Sequence, residues 1–160
     1  MGKKQLVLDT NILIKAFIDF DVIASGLAYN MPNNEKFELA IDYDSKIIDE
    51  FNDNLKNSPP YQKWIQSMYA NNQVVYKNGK LDRKIKKKLN SLGFHEPEDQ
   101  IFVAVALQSQ KTIVTEDSDY GKGDMPKAIE KKPVLDYMNT QLGMTVLDSE
   151  EGLEFVKNNL

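Results

Sequence analysis

The stretch Gln5-Leu-Val-Leu-Asp-Thr-Asn-Ile-Leu-Ile-Lys-Ala-Phe-Ile18 constrains the fold more than any other. Gln5 to Leu8 reads as a short buried strand, and Ile12 to Ile18 is apolar enough to be a buried helix. Asp9, Thr10 and Asn11 fall on the turn between them. Open α/β sheets place their ligands at the carboxyl ends of central strands, so Asp9 is the first candidate functional carboxylate.

Further along, Phe37, Leu39 and Ile41 alternate with Glu38, Ala40 and Asp42, the period of a half-buried strand. Asp44 or Ser45 is expected to cap the next helix, whose stripe is Ile47, Ile48, Phe51 and Leu55, and Ser58-Pro-Pro60 to stop it. A helix follows over Tyr61 to Tyr69, then a short strand at Val74-Val75-Tyr76 and a basic helix ending near Gly93. Pro97 suits the first turn of a helix that is apolar from Ile101 to Leu107. Thr112 to Thr115 reads as a strand, Gly121 to Asp124 as a loop, Pro133 to Gln141 as a helix, Met144 to Leu147 as the last strand and Ser149 to Lys157 as a helix. Helices alternating with strands predict a three-layer α/β/α sandwich with a central, mostly parallel sheet. With no repeat, linker or low-complexity tract, residues 1–160 are expected to form one domain.

Composition narrows the chemistry. There is no cysteine and one histidine, His95, so thiolate sites, disulfides and multi-histidine metal sites are excluded. No stretch approaches the ~20 apolar residues of a membrane span, and a soluble, cytoplasmic protein is expected. Net charge is −4, yet Lys77, Lys80, Arg83, Lys84, Lys86, Lys87 and Lys88 fall within twelve residues. An acidic site beside such a patch suits a metal enzyme acting on a polyanion, with Lys80, Arg83, Lys84, Lys87 and Lys88 as candidate nucleic-acid contacts. The bland alternative is a solvated helix face with Ile85 and Leu89 turned inward. Trp64 and the tyrosines read as core, although Tyr61, Tyr69 and Tyr76 near the basic helix offer surfaces for stacking on unpaired bases.

Acids recur where elements meet: Asp9 after the first strand, Glu50 in a helix, Asp99 opening another, and Asp117 and Asp119 after a later strand. In a parallel sheet these positions share one edge. Unit charges 4 Å apart repel by ~4 kcal/mol at an effective dielectric of 20, so such a cluster calls for a cation, and hard oxygen ligands suit Mg²⁺ or Mn²⁺.

These residues also carry a resemblance. Leu6-Val-Leu-Asp-Thr-Asn-Ile-Leu13 resembles the opening motif of PIN domains, metal-dependent ribonucleases with a central parallel sheet. Ile47-Ile-Asp-Glu-Phe51 is similar to their second motif, and Asp99-Gln-Ile-Phe-Val-Ala-Val-Ala106 to their third. Ile113-Val-Thr-Glu-Asp-Ser-Asp-Tyr120 is similar to the fourth, with Tyr120 where the pattern has phenylalanine. The resemblance implies that Asp9, Glu50, Asp99 and Asp117 are catalytic and bind Mg²⁺ or Mn²⁺. It makes Asp119 a fifth acid, ligand or support, and Asn11 and Thr115 the residues that orient carboxylates or water. It further implies an endoribonuclease for single-stranded RNA, with single-stranded DNA as an alternative, and a homodimer. Toxin with antitoxin partner, defence effector and RNA-processing enzyme all remain open. Two readings compete with it: a non-catalytic PIN-like binding module, and an aspartyl-phosphate phosphatase, for which Asn11 stands where an Asp-x-Asp pattern needs an acid.

Overall fold

The structure, a computed structural model, describes residues 2–160. β1 (Lys4–Leu8) is followed by α1 (Thr10–Phe17) and α2 (Val22–Asn30), and β2 (Phe37–Asp42) by α3 (Lys46–Leu55) and α4 (Pro59–Ala70). β3 (Val74–Lys77) leads to α5 (Arg83–Ser91) and α6 (Pro97–Gln108). β4 (Thr112–Val114) leads to a 3₁₀ turn at Ser118–Tyr120, then α7 (Pro126–Glu130) and α8 (Lys132–Asp136). A π-helical turn at Tyr137–Gln141 precedes β5 (Thr145–Leu147) and α9 (Ser149–Asn158).

All five strands are parallel, in the order β3-β2-β1-β4-β5. The chain steps outward from β1 through β2 to β3, then crosses back to place β4 on the other side of β1. The direction of winding therefore reverses between β1 and β4, and their carboxyl ends flank the topological switch point. Helices flank the sheet as in an α/β sandwich: α2 packs on α1 and α9, α6 lies over β2, β1 and β4, and α3 touches both α1 and α6. Among the described residues, no helix is long and apolar enough to cross a membrane.

The core is continuous from Leu6 on β1 to Val156 on α9. β1 is apolar on both faces because both are covered: Leu6, Val7 and Leu8 are all fully buried. β2 departs from the half-buried strand expected of it, since Ala40 and Asp42 are buried together with Phe37, Leu39 and Ile41. It is an inner strand covered by α3 and α6, so alternation in its sequence does not translate into a wet face.

Three boundaries also differ from the sequence reading. α3 is capped neither by Asp44 nor by Ser45, which adopts φ 64° and makes no side-chain cap bond. The buried carboxylate of Asp42 serves instead, accepting from the amides of Lys46 at 3.0 Å and Ile47 at 2.8 Å. Ser58-Pro-Pro60 starts α4 rather than merely ending α3: the Ser58 hydroxyl accepts from the Tyr61 amide, and proline is tolerated where helix amides lack partners. Beyond the Gly121–Asp124 loop, Pro126–Glu130, to which the sequence analysis assigns no element, forms the short helix α7.

Asp42 ties the end of β2 to the start of α3, which carries Glu50. Asp42→Ala should cost about 1–2 kcal/mol, the usual loss of a helix cap, and lower the melting temperature by roughly 2–8 °C. Asp42→Asn, which keeps one acceptor oxygen, should lose less. Thermal unfolding followed by circular dichroism measures both.

Candidate active site

At the switch point, Asp9 occupies the N-cap position of α1 and is 5% exposed. Its carboxylate accepts from the Thr115 hydroxyl at 2.8 Å and from the Asn11 amide at 3.3 Å. These two side chains also hold the loop after β4. The Thr115 hydroxyl accepts from the Asp117 amide at 3.0 Å, and the Asn11 carbonyl accepts from the Glu116 amide at 3.1 Å. Asn11 and Thr115 therefore sit where the sequence expected supporting residues, bridging the ends of β1 and β4.

The tightest cluster lies beside Asp9. One carboxylate oxygen from each of Asp99, Asp117 and Asp119 lies within 4.8 Å of the other two. Asp99 comes from the first turn of α6, which Pro97 opens. Asp117 and Asp119 come from the 3₁₀ turn, where the Asp117 carboxylate accepts from the Asp119 amide at 2.9 Å. Gly121 ends that turn at φ 81°, with the Lys131 carbonyl oxygen only 2.2 Å from where a Cβ would stand. No residue with a side chain fits there.

Asp9 and Glu50 are not part of that triple. Glu50 projects from α3, where its carboxylate accepts a hydrogen bond from the Thr10 hydroxyl. It also lines a groove of about 390 Å³ between α3 and α6, together with Asp49, Asp53, Glu98 and Lys46. A larger groove of about 650 Å³, lined by Tyr29, Pro60 and Trp64, contains no acid and lies apart from this chemistry.

Electrostatics bind the five acids into one unit. Burial pushes Asp9 up to about 6, against its bond from Thr115, and Asp117 and Glu50 push in the same direction. Asp99 rises to about 7, first through burial and then through Asp9, Asp117, Asp119 and Glu50. Asp9 and Asp99 thus both sit within the repulsion of the other acids, with Asp99 also a member of the close triple. A helix N-terminus favours a negative group, yet here that help is outweighed.

Protein cations answer little of this charge. The Lys127 ammonium on α7 pairs with Asp119 at 2.7 Å, and that contact raises the lysine's own pKa. Sequence reasoning missed Lys127 because it assigned no element between Asp124 and Pro133; Met125-Pro126, with proline at a first helical position, was the available signal. The Tyr120 hydroxyl is fully buried with no hydrogen-bond partner among the described residues. Burial and the acids Asp9, Asp99, Asp117 and Glu50 push it well above the ordinary phenol range.

The expected nucleic-acid contacts lie apart from the acids. Lys80, Arg83, Lys84, Lys87 and Lys88 are exposed, and none forms an ion pair among the described residues. Leu89 is buried and Ile85 half-buried, so α5 does turn an apolar stripe inward. Lys80, Arg83 and Lys86 nevertheless line a depression with Pro97 and Gln100, at the same end of α6 as Asp99. His95 is exposed near Glu96, away from the cluster, and Tyr61 and Trp64 are core.

A donor set of hard carboxylate oxygens, three of them within 4.8 Å, fits a divalent cation such as Mg²⁺ or Mn²⁺. Without one, protons must relieve the repulsion. The folded pKa values of Asp9 and Asp99, about 6 and about 7, lie above the ordinary aspartate value of 3.8. The folded state therefore binds more protons than the unfolded one between these limits, and stability falls as pH rises through 4 to 7. Metal-free protein should melt several degrees higher at pH 5 than at pH 8. Asp99→Asn should raise the pH 8 melting temperature and flatten the slope; a wild-type curve that climbs with pH would contradict the repulsion described.

Among known proteins, the family model for a PIN domain matches residues 5–119. Neither the curated proteins nor the solved structures compared with the chain give a match. PIN domains are typically metal-dependent nucleases, and the matched span contains β1 to β4 and all five acids. By that match over most of its length, the chain belongs to the PIN-domain family.

Proposed function

We propose that this protein is a Mg²⁺- or Mn²⁺-dependent endoribonuclease that hydrolyses phosphodiester bonds in single-stranded RNA. The observation that carries the reading is the convergence of Asp99, Asp117 and Asp119 at the carboxyl edge, backed by Asp9 and Glu50. In this reading Asp9, Glu50, Asp99 and Asp117 hold the cation directly or through water, and Asp119 completes or supports the set. The cation, when bound, supplies Lewis-acid polarisation of the phosphodiester and eases deprotonation of water.

The chain's own groups then have definite tasks. The Thr115 hydroxyl fixes one oxygen of Asp9. Thr10 does the same for Glu50 through Oε2. Lys127, held as an ammonium beside Asp119, is placed to meet a phosphate oxygen once the carboxylate is neutralised. The cations of α5 near the start of α6 would receive the phosphates flanking the scissile one, a sequence-independent contribution to binding. The choice of RNA over DNA rests on the family's habit. A toxin, defence effector or RNA-processing role, a second copy and an antitoxin-like partner belong to the same proposal.

The test is cleavage of end-labelled single-stranded RNA with Mn²⁺ and with EDTA. EDTA should abolish cleavage. Asp99→Asn and Asp117→Asn should lower the rate by roughly 100-fold or more, equivalent to a few kcal/mol of transition-state stabilisation. Thr115→Val, which removes only a support, should cost about 10- to 100-fold. A folded Asp99→Asn protein cutting at the wild-type rate would sink the assignment. RNA binding without cleavage or cation binding would favour the non-catalytic alternative.

A second measurement concerns Lys127. Lys127→Met should weaken RNA binding and increase its dependence on Mg²⁺ concentration, because Asp119 loses its protein counter-charge. Titration of RNA affinity against Mg²⁺ checks this.

A further inference from the structure

Along the carboxyl edge, away from the acid cluster, the surface turns aromatic. Tyr43 directly follows β2, and Tyr76 lies in β3. Their rings are stacked, with centroids 6.1 Å apart and planes 21° from parallel. Neither belongs to the core: Tyr43 is 69% exposed and Tyr76 41%. The Tyr43 amide donates to the Lys77 carbonyl at 3.1 Å, so the backbone fixes the position of the pair. Tyr69 on α4 stands next to Tyr76, which with burial raises its pKa.

Strand register locates this surface relative to the site. Lys4, Gln5 and Leu6 pair with Phe37, Glu38 and Leu39, so continuing the register sets Asp9 level with Asp42. Asp42 in turn pairs with Lys77. At ~4.8 Å per strand, Lys77 is about 10 Å from Asp9 across the edge, with Tyr43 and Tyr76 beside it. Three lysines stand around it: Lys46 and Lys80 are exposed and Lys77 half-buried, with Lys46 also bordering the acidic groove of Asp49, Glu50, Asp53 and Glu98. Asp44 is the exposed acid of the loop, while Asp42 is buried and committed to the amides of α3.

We propose that Tyr43 and Tyr76 form a stacking platform for an unpaired base of the nucleic-acid strand held at the Asp99–Asp117–Asp119 cluster. This rests on the nuclease reading of that cluster and adds to it the means of selecting single strands. A base in a duplex has both faces covered by its neighbours, whereas an unpaired base can offer a π-face to a tyrosine ring. Lys46, Lys77 and Lys80 supply cations for the adjoining phosphates. The platform and the acids together would hold one strand across β3, β2 and β1, with the base read by shape rather than by sequence.

The experiment is fluorescence anisotropy of a labelled oligouridylate with the full chain in EDTA, which separates binding from cleavage. Tyr43→Ala and Tyr76→Ala should each weaken binding by roughly 5- to 100-fold, the range for loss of one stacked base. Tyr43→Phe should bind like wild type, and duplex RNA of the same length should not distinguish the variants. Melting temperatures should stay unchanged, since the exposed Tyr43 ring supports no core contact. Alanine variants that bind the oligonucleotide within twofold of wild type, or a wild type that does not bind it, would overturn the platform. An altered oligomeric state with unchanged RNA affinity would overturn it too, in favour of a protein interface. Tyrosine-dependent binding without cleavage in Mn²⁺ would leave the platform standing and remove the nuclease reading; cleavage of single strands with no tyrosine dependence would do the reverse.

Discussion

Repulsion among five carboxylates is the interaction on which the functional edge of this protein depends. Three oxygens within 4.8 Å and two further acids nearby would destabilise any fold that had no reason to hold them together. Burial makes the cost larger, because the charged form loses water as well as facing its neighbours. The fold tolerates the arrangement through hydrogen bonds aimed at individual oxygens: Thr115 and Asn11 on Asp9, Thr10 on Glu50, and the Asp119 amide on Asp117. These bonds hold Asp9, Glu50 and Asp117 while leaving the cluster short of positive charge. The PIN-domain family uses divalent metals, and such a cation would supply what the bonds do not.

Sheet topology explains how residues more than a hundred positions apart share this edge. β1 is central, and β4 returns beside it after the excursion through β2 and β3. Asp9 therefore meets Thr115 directly, and the loop that carries Asp117 and Asp119 starts from the same place. Asp99 arrives on α6, which lies over β2, β1 and β4, and Glu50 arrives on α3, anchored to β2 by Asp42. The five acids arrive on four separate parts of the chain, with Asp117 and Asp119 sharing one turn, so no local segment could assemble the site alone.

What the sequence made legible follows from the same physics. Apolar runs and helical spacing identified all five strands and the long helices because burial acts residue by residue along the chain. The acids were legible because each falls at a strand end or helix start. Which acids approach most closely was not, since the triple of Asp99, Asp117 and Asp119 depends on how α6 and the 3₁₀ turn meet in three dimensions. The cap of α3 was missed for a related reason: local rules point to Asp44 or Ser45, whereas Asp42 reaches forward from inside the sheet. Lys127 escaped because a five-residue helix has too few positions to show a period. Tyr43 escaped because one tyrosine after a strand looks like any other until β3 brings Tyr76 beside it.

The net charge of −4 is then no obstacle to a polyanionic substrate, because opposite charges are segregated by task. Lys127 touches Asp119, where a charge at 2.7 Å acts on the site itself. The cations of α5 are exposed and form no ion pair among the described residues, so they leave the carboxylates' charge unanswered. If they neutralised the carboxylates instead, the cluster would lose its demand for a cation. If they were absent, the acids would repel the strand. The acid cluster and the basic helix α5 thus carry opposite charge on different elements of the chain.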